Sequence, residues 1–204
     1  MKKEKLPPNM HKPIPEIEPS DIRSFILAKL NNYVGFNEDE ERMRQETILF
    51  IQNNPNCFSR KLLTGHVNGS AWVVDSEMRM ALLTHHTKLD RWLQLGGHSD
   101  EDPNTLNVAQ REAIEESGLQ SVLPISQEIF DIDVHPIPEK GDEPGHLHYD
   151  IRFIFTADPQ EELVISSESK DLQWVEIDAI SALNPSESLI RMVTKTKKLK
   201  DNDR

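Results

Sequence analysis

The stretch from Gly96 to Leu119 constrains this chain more than any other. It opens on Gly96-Gly97, crosses the polar segment His98 to Asp102, and continues from Pro103 as a helical pattern to Gly118-Leu119. Glu112, Glu115 and Glu116 stand at i, i+3 and i+4. On a helix that spacing puts three carboxylates on one face, within about a third of the circumference. Like charges packed so closely repel unless something neutralises them. A divalent cation does so economically, because hard carboxylate oxygens suit Mg2+ or Mn2+. Leu106, Ala109 and Ala113, with Val108 beside them, give the same helix a face to bury. Asp102 is expected to cap the helix and Pro103 to open it, since the first helical position has no N–H to satisfy. Gly118 is expected to close it as a C-terminal glycine.

These residues resemble the Nudix box, Gly-x5-Glu-x7-Arg-Glu-U-x-Glu-Glu-x-Gly-U, where U is apolar. Gly97, Arg111, Glu112, Ala113, Glu115, Glu116, Gly118 and Leu119 match in register, and Pro103 stands where the pattern has its first Glu. The resemblance implies an α/β fold: an α/β/α sandwich around a mixed β-sheet. It also implies metal-dependent hydrolysis of a nucleoside diphosphate linked to another moiety. On this reading Glu115 and Glu116 are metal ligands. Glu112 is a third ligand or the base that takes a proton from water. Arg111 holds Glu112 by a bidentate contact, and the Gly96 carbonyl is a further candidate ligand. Asp100, Glu101 or Asp102 is expected to stand in for the acid missing at Pro103. Glu168 opens a stretch, Glu168-Ser169-Lys170-Asp171-Leu172-Gln173-Trp174, similar to one in which many family members carry another acid. Glu168 is therefore a candidate base or extra ligand, set against the alternative of a polar loop.

The chain of 204 residues has room for one domain with an extension. Residues 1–19, rich in Pro and Lys, are expected to be a flexible arm. Residues 20–60 are expected to form a helical hairpin, and 61–204 the Nudix-like domain. The net charge of −12 disfavours anionic membranes and a stable nucleic-acid complex. It leaves a small nucleotide diphosphate open as substrate, because bound metal reverses the local sign. Cys57 is the only cysteine, so no intrachain disulfide forms. No apolar run approaches the roughly 18 residues of a membrane span. A cytoplasmic protein is the expectation, with a homodimer open.

In the hairpin, Ser20 is read as an N-cap, followed by Ile22, Phe25, Ile26, Leu30, Tyr33 and Val34 at helical spacing. Asn37 and Glu40 make a capping-box-like start to a second helix that buries Met43, Thr47, Phe50 and Ile51. The hairpin would serve as a lid or packing element, or alternatively as a dimer contact or substrate-selecting cap. Strands are expected at Val67–Asp75, Arg79–His86, Trp92–Leu95, Ile129–His135, His146–Phe155, Leu163–Ile165 and Leu172–Ile177. Closing helices follow at Asp178–Leu183 and Pro185–Leu199, with Lys195, Lys197, Lys198 and Lys200 complementing the last helix's dipole.

Histidines form a second cluster. His98, His135, His146 and His148 lie in or beside elements that should ring the cleft, and His146 and His148 share a strand face with Asp150. All five residues are candidates for substrate contact. The His-x-His spacing also suits Zn2+. Three functions therefore compete: a Mg2+- or Mn2+-dependent hydrolase, a Nudix-fold sensor that binds nucleotides without turnover, and a zinc hydrolase built on His146 and His148. No substrate signature singles out a subclass.

Overall fold

The computed structural model describes residues 19–141 and 144–202. Most of the expected arm therefore lies outside the described residues. Two helices come first, α1 (Pro19–Asn32) and α2 (Glu38–Asn53). Helix α1 already includes Ser20, so it begins before the residue read as its N-cap. Asn37 does cap α2, accepting a hydrogen bond from the Glu40 N–H at 2.9 Å. Met43, Thr47 and Ile51 are buried on the inner face of α2, as the spacing predicts. Phe50 stacks on Tyr149 with ring centroids 4.0 Å apart.

Strands β1 (Gly65–Val74), β2 (Met80–His86), β3 (Arg91–Leu93) and β4 (Leu95–His98) lead to α3 (Thr105–Ser117). After it come β5 (Leu123–Pro124), β6 (Asp131–Ile137), β7 (His146–Thr156), β8 (Ser169–Glu176), α4 (Ile180–Leu183) and α5 (Glu187–Asn202). The strands make one mixed sheet of eight, with β1 and β7 parallel at its centre. The expected strand Trp92–Leu95 is split at Gln94, because β3 pairs with β2 while β4 pairs with β1. Leu163–Ile165 is not a strand. The Val164 N–H donates instead to the Ser117 carbonyl, at the C-terminal end of α3.

Alternation along β1 sorts the two layers. Val67, Ala71 and Val73 face a core shared with α1, α2 and α3, where Ile26, Leu30, Ile51, Leu106, Ala109 and Ala113 pack. Trp72 and Val74 face the opposite core with Leu189, Met192 and Val193 of α5. The result is the expected α/β/α sandwich, with α3 on one side of the sheet and α5 on the other.

On the α5 side the central strands carry a polar row. Registers place Ser70, Arg152 and Asp131 side by side, then Asn68, Asp150 and Asp133, then His66, His148 and His135. At the Asp131 end this row meets α5 and α2. Arg191 and Arg152 hold Asp131, while Lys195 donates to Asp131 at 2.8 Å and to Glu40 at 2.5 Å. Lys195 is thus a buried ion-pair partner rather than a solvated charge at the helix end.

Candidate active site

Two glycines bring the acidic helix against the sheet. Gly96 and Gly97 of β4 lie opposite Ser70 and Gly69 of β1. Gly96 adopts φ +146°, which L side chains rarely take, and a Cβ there would strike Ser70. At Gly97 a Cβ would run into the Glu112 carboxylate. The Gly96 N–H donates to Glu116 Oε2 at 3.3 Å. Helix α3 starts later than expected. Asn104 caps it, and Asp102 instead accepts from the Asn104 N–H at 2.9 Å, so Pro103 lies ahead of the helix. The other end is as expected: Gly118 takes the left-handed conformation and its N–H donates to the Ile114 carbonyl.

The three carboxylates of α3 differ in environment. Glu116 is buried, Glu112 half-buried and Glu115 exposed. Burial, reinforced by the charges of Glu112 and Glu168, pushes the Glu116 carboxyl up to about 8. Burial also raises Glu112, against the pull of Arg111. Arg111 reaches Glu112 Oε1 at 3.0 Å through one nitrogen, and the same nitrogen donates to the His98 carbonyl at 3.3 Å. The contact is therefore not the bidentate one expected. Glu168 lies exposed just before β8, and its charge bears on Glu112 and Glu116. The acids near Pro103 are partly engaged: Asp100 pairs with Arg60 through both oxygens, and Glu101 lies 3.7 Å from Lys61. Carboxylate oxygens crowded together on one helix face are a donor set that suits a hard divalent cation.

On the α5 side of the sheet the histidines converge. His66 lies 4.6 Å from His148, 5.1 Å from His146 and 5.0 Å from His98, centroid to centroid, and His135 lies 5.5 Å from His148. Burial lowers His66 to about 4 and His148 to about 3. His135 goes the other way: burial opposes its charge, but Asp150 and Asp133 outweigh it. Among the described residues, two groups of three bring ligand atoms within 4.8 Å of one another: His66, His146 and His148, and His135, His148 and Asp150. Neither includes a carboxylate of α3.

A family model for the NUDIX domain matches residues 65–194. The chain belongs to the Nudix family. That membership assigns it to the Nudix pyrophosphohydrolases. Among solved structures, a MutT protein from Methanosarcina mazei Go1 superposes with a TM-score of 0.51 at 17% identity, covering 70% of this chain and 99% of that one. A NUDIX-family hydrolase from Clostridium perfringens gives 0.48 at 22% identity, covering 66% and 97%. An Ap4A hydrolase from C. elegans gives 0.48 at 13% identity, covering 67% and 98%. No curated protein sequence matches the chain.

The Nudix match begins at Gly65, so α1 and α2 fall outside it. Within the Nudix domain, the sequence-predicted residues fall into two sets. Gly96, Arg111, Glu112 and Glu116 form one, with Glu115 and Glu168 at its rim. His98, His135, His146, His148 and Asp150 form the other. Asp150 is buried and already serves Asn68 and Arg152. Sequence reasoning missed His66, because it began the strand at Val67; β1 starts at Gly65 and carries His66 on the same face as Asn68. Arg60 was also missed, having no periodic context in the loop before β1.

Proposed function

We propose that the chain hydrolyses a diphosphate or polyphosphate linkage in a small molecule of the nucleoside diphosphate-X kind, using Mg2+ or Mn2+ held by Glu112, Glu115 and Glu116. The observation that carries this reading is the pair of crowded carboxylates, Glu112 and Glu116, drawn against the Gly96-Gly97 backbone with Glu168 nearby. When bound, the cation neutralises diphosphate charge and acidifies a water. Glu116, steadied by the Gly96 N–H, is the firmest ligand, and the Gly96 carbonyl is a second oxygen close by. Glu112, braced by Arg111, accepts the proton of the attacking water or completes the ligand set. Glu168 is the other acceptor in range of that charge cluster. Pro103 lies ahead of the helix, so its departure from the box leaves these carboxylates in place.

His98, His135 and Arg60 supply polar contacts for the part of the substrate beyond the phosphates. Helices α1 and α2 serve as packing, since their apolar residues enter the sheet's own core. Among the described residues no helix is long and apolar enough to cross a membrane. The acidic charge and lone cysteine support a cytoplasmic enzyme acting on small molecules.

The test is a panel of nucleoside diphosphate-linked compounds assayed with Mg2+. Release of phosphate-containing products from at least one class is expected. Binding without turnover across the whole panel would replace the enzyme with a nucleotide sensor.

A further inference from the structure

The geometry points to a second metal centre: His66, His146 and His148 hold a divalent transition-metal ion of the zinc class, on the α5 side of the sheet and independent of the α3 carboxylates. Three imidazoles from two neighbouring strands place one nitrogen each within 4.8 Å of the others. His146 and His148 share a hydrogen bond between their Nε2 atoms at 3.2 Å, a contact that an ion between them would replace. Two imidazole nitrogens on a tetrahedral zinc, each about 2.0–2.1 Å from the ion, stand roughly 3.3 Å apart. The spacing in the chain is therefore already that of two ligands to one ion.

A second observation comes from His66. It is 2% exposed, and neither ring nitrogen has a hydrogen-bond partner. A buried polar atom left without a partner is costly, and a sheet register that holds it there needs a reason. Its ring faces His148 across the parallel β1–β7 pairing, in which the two residues are directly opposite. An ion between them satisfies one nitrogen of each.

A third observation is the support behind the ligands. His146 Nδ1 lies 3.0 Å from the Pro144 carbonyl. Donation there fixes the tautomer and turns the Nε2 lone pair toward His148, the arrangement that ligating histidines usually have. Imidazole nitrogens prefer zinc and its neighbours in the transition series over Mg2+, whereas the oxygens of α3 prefer the reverse. The two sites thus sort metals by chemistry. His98, 5.0 Å from His66 and 5.4 Å from His148, borders the position a fourth ligand would take. The alternative trio of His135, His148 and Asp150 is less suited, because Asp150 is engaged by Arg152 and His135 by Asp133.

The full chain is loaded with Zn2+ in the presence of excess Mg2+, freed of unbound metal by gel filtration, and analysed for zinc. Retention of one equivalent is expected. His66→Gln and His148→Gln should weaken zinc binding by ~100-fold or more, while Glu116→Gln leaves it unchanged. No retained zinc, retention undiminished in both histidine variants, or loss confined to Glu116→Gln would each overturn the site. Should the histidine variants fail to fold, the Cu2+-loaded wild-type chain decides: pulsed EPR that counts two or more directly coordinated imidazoles upholds the site, and fewer overturns it. None of these readouts depends on hydrolysis of a diphosphate.

Discussion

Glu116 and Asp131 are both buried carboxylates of one sandwich, and their surroundings move them in opposite directions. Around Asp131, burial alone would favour the neutral acid, but Arg191, Arg152 and Lys195 outweigh it and hold the carboxyl below its usual range. Among the described residues Glu116 accepts from one backbone N–H, and the charges that bear on it are the like charges of Glu112 and Glu168. Both arrangements remove carboxylates from water. One is complete within the protein, with Glu40, Asp133 and Asp150 against the same cations. At Glu116, among the described residues, no cationic side chain forms an ion pair. Matched burial of charge fastens α2 and α5 to the sheet, whereas unmatched burial is the feature on which the proposed metal site at α3 rests.

The largest effect that separates the two regions is expected at Glu116. Glu116→Gln should lower kcat by several orders of magnitude with Mg2+, while the metal-free chain stays as stable as wild type or becomes more so. The substitution removes a charge that the fold does not need. Near-normal turnover in that variant would sink the metal assignment. An unfolded variant would place Glu116 with the matched network instead.

Glu40→Ala should do the reverse. It strips an acceptor from Lys195, from the Tyr33 hydroxyl and from the Phe36 and Ile132 N–H groups. Breaking one side of such a buried pair costs about 3–5 kcal/mol, read from denaturant unfolding. The chemistry at α3 should persist in the fraction that remains folded. The double change Glu40→Leu with Lys195→Met should recover much of the loss, because it removes both charges together. A single variant as stable as wild type would show that the ion network is not what fastens α2.

This contrast also explains what the sequence could disclose. The acidic face of α3 is local: Glu112, Glu115 and Glu116 meet through helix geometry, and Gly118 ends the helix for a reason visible in its own residue type. The alternating strands β6 and β7 were legible for the same reason, since each alternates with one polar face. The matched network was hidden because its members come from α2, β6, β7 and α5. Lys195 read as one of four lysines complementing the helix dipole, and only the docking of α5 puts it beside Glu40. His66 was hidden by a boundary two residues out of place, although its alternation with Asn68 was there to find. The cap of α3 slipped from Asp102 to Asn104 because both types cap equally well, and the loop's hydrogen bonding decided between them.

The subtlest test of the comparison uses pH in the presence of chelator. Glu116 is raised from 4.5 to about 8 in the folded chain. As pH rises between those values the unfolded chain loses a proton that the folded chain keeps, so stability falls across that window and levels off above it. His66 is lowered from 6.5 to about 4 by burial. Its contribution is intact above 6.5 and is lost as pH falls toward 4, because the unfolded chain takes up the proton first. The two groups therefore tilt the stability curve in opposite senses. Unfolding midpoints followed from pH 4.5 to 8 should show the alkaline decline flattened in Glu116→Gln and the acid decline flattened in His66→Gln. Added Mg2+ should restore the alkaline limb of wild type and do nothing for Glu116→Gln. An alkaline limb that survives the Glu116 substitution would mean that the unmatched charge sits elsewhere on α3, with Glu112 the next residue to replace.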